Sequence, residues 1–74
     1  MNAGKLMNRA SRVIRMPDVC KITSLKQSRI YELITEKVFP PPFKIVPGGR
    51  AAGWWEHDVI AWLEARAAKS QEDK

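Results

Sequence analysis

One cysteine, one histidine and no long apolar run leave this 74-residue chain short of most of what catalysis, metal binding or membrane insertion would need. Cys20 has no partner for an intramolecular disulfide, and with His57 the only histidine, no Cys/His set has zinc spacing. Nothing approaches the roughly 20 apolar residues of a membrane-spanning helix. The opening MNAGKLMNRASR is basic but lacks the apolar stretch of a signal peptide, so a reducing, cytoplasmic setting with no membrane partner is expected. There is no Gly-rich phosphate loop and no nucleophile paired with a base. These absences predict a non-enzyme with no catalytic residue, cofactor, metal site or small-molecule substrate.

Acidic residues are scarce where basic ones are dense. Residues 1–50 hold ten Lys/Arg against three Asp/Glu, whereas residues 51–74 hold three against five. The net charge of +5 is therefore concentrated in the first two thirds, as suits one face turned to a polyanion. The length allows one domain. Without its polar ends it has about 55 foldable residues, near the lower limit for a core unaided by disulfides or metals.

What the chain does have is punctuation. Residues 1–11 are polar, basic and aperiodic, and read as a disordered arm. Arg12 to Arg15 read as a short extended segment, since Met16 precedes a proline. Pro17 to Thr23 predict a first helix, with Pro17 suited to the first helical position and Asp18 to the positive helix start. A turn at Thr23-Ser24-Leu25 follows, with Leu25 directed at the core. Ile30, Leu33 and Ile34 recur at i, i+3, i+4 and predict a second helix from Lys26 or Gln27 to Glu36 or Lys37. Ser24 and Gln27 have capping-box spacing, which would let it start earlier.

Next comes VFPPPFKIVPGGRAAGWWE, residues 38–56, with four prolines, three glycines and paired tryptophans. Three consecutive prolines end the helix. Phe43 to Val46 read as a strand, Pro47-Gly48-Gly49 as a turn, and Arg50 to Trp55 as a returning strand with Gly53 a candidate bulge. From Glu56, a stripe of Val59, Trp62, Leu63 and the stem of Arg66 predicts a last helix packed on the core. Residues 69–74 read as a frayed polar tail. The expected architecture over 12–68 is mainly α with a small β-hairpin: helix, turn, helix, two-stranded wing, C-terminal helix. That is a winged helix-turn-helix.

At this point the residues resemble a family. RVIRMPDV, TSLKQSRIYELI, FPPPFKI, GRAAGW and DVIAWL, in this order between residues 12 and 66, are similar to the AlpA family of phage and prophage regulators. That family shares its fold with small excisionases and the DNA-binding domain of MerR-type regulators. The resemblance implies that Gln27, Ser28, Arg29 and Tyr31 face DNA, with Lys44 and Arg50 on the wing. Three positions depart from the family pattern: Ser24 stands where relatives usually carry glycine, Lys26 where a helix-capping serine is usual, and Glu32 where many carry arginine.

On chemistry alone, Gln suits adenine and Arg suits guanine, so Gln27 and Arg29 are the candidate base readers, flanked by Lys26, Ser28 and Tyr31. Lys44 and Arg50 are candidates for phosphate or minor-groove contact. Arg12, Arg15, Thr23 and Ser24 are candidates for the DNA backbone, and Lys5 and Arg9 of the arm are weaker ones. Trp54 and Trp62 are expected in the core, with Cys20 a buried small apolar residue and His57 at the surface. Strand neighbours point to opposite faces, so Trp55 should be less buried than Trp54. Trp55 and Ile60 become candidates for contact with a neighbouring copy or an integrase.

The expected partner is double-stranded DNA. The function that the resemblance implies is transcriptional regulation of a prophage or mobile element, controlling integrase or excision genes. The alternatives are an excisionase that bends attachment-site DNA for the integrase and, further off, a protein-interaction adaptor.

Overall fold

The proline stretch keeps its carbonyls while losing its N–H groups, and two indole donors reach carbonyls in it and just before it. Trp54 Nε1 donates to the Pro40 carbonyl at 2.8 Å, and Trp62 Nε1 donates to the Val38 carbonyl at 2.7 Å. Between them Phe39 is buried, edge-on to Trp62 at 4.8 Å and to Trp54 at 6.2 Å. A segment that can be neither helix nor central strand is thus strapped across the core by three aromatic residues.

The computed structural model describes residues 11–72. In chain order the elements are β1 (Val13–Ile14), α1 (Met16–Thr23), α2 (Gln27–Thr35), β2 (Phe43–Lys44), β3 (Ala52–Trp55) and α3 (Glu56–Glu72). The fold is mainly helical with a small antiparallel sheet, in the order of a winged helix-turn-helix. The wing has a third strand: β3 is central, with Ile14 opposite Trp54 on one side and Phe43 opposite Gly53 on the other. The core is Ile14, Val19, Ile30, Leu33, Phe39, Trp54 and Val59, with Cys20, Leu25, Ile34 and Trp62 packed half-buried against it. Trp62, expected inside, keeps one edge at the surface, where the Arg66 guanidinium lies 4.9 Å from its ring centre.

Both helices of the pair end on left-handed residues. Ser24 (φ 64°) closes α1, its N–H donating to the Cys20 carbonyl at 2.7 Å. Ser24 therefore ends the first helix instead of capping the second, and the capping box with Gln27 does not form. The residue before α2 is Lys26, extended at φ −79° and ψ 156°, with no acceptor to offer the helix start. Lys37 (φ 62°) follows α2 in a Schellman closure: Val38 N–H reaches the Leu33 carbonyl at 2.8 Å and Lys37 N–H the Ile34 carbonyl at 3.0 Å.

In the wing, Pro47 and Gly48 (φ 78°) fill the centre of a type II turn closed by Gly49 N–H on the Val46 carbonyl at 2.9 Å. Gly53 is not a bulge, because the register is regular on both its sides. It is a close approach: a Cβ there would lie 2.5 Å from the Ile14 carbonyl oxygen. Glycine is what lets β1 reach β3 and bring the end of the arm to α3. There Glu56 N–H donates to the Arg12 carbonyl at 2.8 Å and His57 N–H to Ser11 Oγ at 3.0 Å. Ser11, assigned to the arm from sequence, is thus part of the domain as a cap for α3. The rest of the arm, with Lys5 and Arg9, lies outside the described residues. At the other end α3 runs on to Glu72, into the segment read as a frayed tail.

Candidate functional site

The helical period decides which side chains of α2 are free. Ile30 and Leu33 are buried, so Ser28, Arg29 and Tyr31 are turned off that side, and these three are exposed along with Lys26 and with Gln27 of the first turn. Tyr31 keeps 53% of its surface. α2 therefore shows solvent a face of amide, hydroxyl, guanidinium and phenol. Arg29 is already engaged: its guanidinium meets the Glu32 carboxylate at 2.8 Å across one turn.

The wing adds cations beside this face. Lys44 stands opposite Ala52 across the ladder, which puts it on the same sheet face as Ala52, Ile14 and Trp54, the face turned to the helices. Arg50 precedes β3 on the returning arm and is exposed. Arg15, Tyr31 and Arg50 come from three separate parts of the chain and line one hollow of about 230 Å³ floored by Trp54.

Two candidates for backbone contact sit differently. Arg12 is paired with Glu56 at 3.3 Å, beside the start of α3. The Thr23 hydroxyl donates its only proton to the Val19 carbonyl at 2.8 Å and accepts from Leu25 N–H at 3.2 Å, so it holds the turn together. Ser24 is exposed at that turn.

The opposite face of the sheet is apolar. Alternation puts Val13, Phe43 and Trp55 together there, with Ile45 beyond them. Trp55 is half-buried between Phe43, 5.7 Å away, and His57, stacked at 6.3 Å. Val13, Phe43 and Ile45 are exposed. Ile60 is exposed on α3. Sequence reasoning found Trp55 but missed the patch around it, and it missed the hollow. The only signal for the patch was alternation of apolar residues in two very short strands.

Among the described residues no three His, Cys, Asp or Glu side chains are grouped to hold a metal ion. Among them, too, no helix is long and apolar enough to cross a membrane.

Residues 12–67 match the family model described as "Prophage CP4-57 regulatory protein (AlpA)". The match takes in all three strands, the helix pair and most of α3. The "Uncharacterized protein ORF88" of Enterobacteria phage P4 is 39% identical over 57 residues, which are 77% of this chain and 62% of that protein. The chain thus spans less than two thirds of this relative's length. No solved structure matches.

Proposed function

The chain belongs to the AlpA family of phage regulatory proteins, and from that premise we propose that it is a sequence-specific DNA-binding regulator of a prophage or mobile element. α2 enters the major groove, where Gln27 and Arg29 read base edges. Lys26, Ser28 and Tyr31 flank them, Lys44 and Arg50 meet the adjacent backbone, and Arg15 and Ser24 add contacts beside the helix pair. The observation that carries the reading is the outward face of α2: four polar side chains exposed on the helix whose other side, Ile30 and Leu33, is buried. The bound protein acts without catalysis or cofactor, in the cytoplasm of its host.

A second reading is favoured by the apolar outer face of the sheet. A module of this size covers little DNA surface, and Val13, Phe43 and Trp55 offer a neighbouring copy on DNA a place to pack. Copies assembled on repeated sites at an attachment end would bend it and direct the integrase toward excision.

A footprint on the protein's own element, with a salt titration and an unrelated duplex as control, tests both. Protection confined to a promoter supports the regulator, and protection over repeats at the attachment end supports the excision factor. Equal binding to specific and control duplexes at every salt concentration would refute base reading by Gln27 and Arg29.

A further inference from the structure

We propose that Arg15, Tyr31 and Arg50 form a seat for one phosphodiester of the DNA backbone, placed where α1, α2 and the wing converge; this rests on the DNA-binding reading above. The hollow they line has a volume of about 230 Å³. It opens to solvent and has room for a phosphate group with part of its hydration.

The arginines are sorted by their partners. Five lie among the described residues. Arg12 is paired with Glu56 at 3.3 Å and Arg29 with Glu32 at 2.8 Å. Arg66 lies over the Trp62 ring and reaches the Val38 carbonyl at 3.4 Å. Only Arg15 and Arg50 have neither a carboxylate nor a ring among the described residues, and these two share the hollow. Among the described residues no acidic side chain lines it. The nearest carboxylate in sequence, Asp18, accepts from the Arg15 backbone N–H at 3.5 Å and is not part of the lining.

Two cations facing one space repel each other unless an anion lies between them. Two guanidiniums and a phenol supply donors in excess and no carboxylate acceptor, which suits phosphate oxygens and rejects a cation. Such a contact carries no sequence information. It fixes the depth and rotation of α2 in the groove, and because the groups come from three parts of the chain, it locks wing and helix to one point of the backbone.

The test uses the full chain and the duplex located by footprinting, remade with a single methylphosphonate at each position in turn. Wild type, Arg15→Gln, Arg50→Gln, the double variant and Tyr31→Phe are compared, with Lys21→Gln as control. Both arginines are exposed, so folding should survive, and the single variants carry the test should the double one fail to fold. One phosphate is expected at which the neutral linkage weakens wild type by roughly tenfold, yet weakens the variants much less. The double variant should also lower the salt slope by about two units.

A scan that is the same in wild type and variants would overturn the seat while leaving base reading by α2 standing. Binding of inorganic phosphate by wild type with such an unchanged scan would make it a free-phosphate site, and overturn the proposal as well. Loss of all sequence-specific binding in wild type would instead refute the DNA-binding reading itself, and the seat with it.

Discussion

Arg29 and Glu32 form an ion pair at 2.8 Å on the exposed face of α2, so the side chain best suited to read guanine is tethered by a carboxylate from its own helix. Both side chains are more than half exposed, and such pairs contribute only about 0–1 kcal/mol to stability. Under the proposed binding mode their consequence lies at the DNA. Glu32 repels phosphates, and it also holds the guanidinium in one place.

Replacing Arg29 by Ala should cost on the order of 1–3 kcal/mol at one base pair and relax specificity there. Glu32→Gln should leave the thermal midpoint nearly unchanged and strengthen binding to all duplexes, the unrelated control included. If Glu32 positions Arg29, Arg29→Ala will cost less specificity in the Glu32→Gln background than in wild type. A double-mutant cycle on specific and control duplexes measures that coupling, and additive effects would mean that the pair is incidental.

Three residues around α2 are poor choices for stability. Ser24 and Lys37 occupy left-handed backbone at φ 64° and 62°, a conformation costing a residue with a Cβ about 1–2 kcal/mol. Glycine there loses more chain entropy on folding, so Ser24→Gly and Lys37→Gly should each stabilise by a net of about 0.5–1 kcal/mol. Lys26 sits at the cap of α2 with no acceptor and its charge near the positive helix end. Lys26→Ser should add about 1 kcal/mol of stability and at the same time weaken DNA binding. Denaturant midpoints beside DNA titrations check this, and a gain in stability with no loss of affinity would remove Lys26 from the interface.

The helix pair was legible in the sequence because Ile30, Leu33 and Ile34 repeat with helical period and the prolines mark its end. The hairpin was legible from Pro47-Gly48-Gly49. The third strand was read as an extended segment over Arg12 to Arg15, but its place in the sheet was not legible, because two residues cannot show alternation and the pairing of Val13 with Trp55 is long-range. The burial of Phe39 was not legible either, because it depends on two tryptophans far along the chain. Gly53 has the right composition for a bulge, and only the neighbouring strand shows that the Ile14 carbonyl excludes a side chain. In the site, the exposed face of α2 followed from periodicity. The union of Arg15, Tyr31 and Arg50 did not, since tertiary packing alone brings them together.

Ser11 caps a helix 46 residues away. Its hydroxyl takes the His57 N–H, one of the donors a helix start leaves without a partner. Ser11→Ala should destabilise the domain by about 1 kcal/mol, with Ser11→Asp restoring it. Urea unfolding followed by tryptophan fluorescence measures both. A chain truncated before Arg12 should show the same loss, and equal stability of all forms would show that water replaces the cap at no cost.

Trp55 is the sharpest test of assembly on DNA. Its ring is half-buried beside Phe43 and opposite Val13, on the sheet face turned away from the helices. Trp55→Ser removes apolar surface from this patch and none of the groups proposed to touch DNA. Some folding stability will be lost with the Phe43 and His57 contacts, so binding should be measured well below the thermal midpoint. If neighbouring copies pack through this face, affinity for a single isolated site will stay within about twofold of wild type, a difference of under roughly 0.5 kcal/mol. Binding to tandem sites will lose its cooperativity, and Val13→Ser, which spares both aromatic contacts, will do the same to a smaller degree. Titration of one-site and two-site duplexes separates these effects. Unchanged cooperativity in both variants would exclude the sheet face as the contact between copies and leave the excision-factor reading without its structural support.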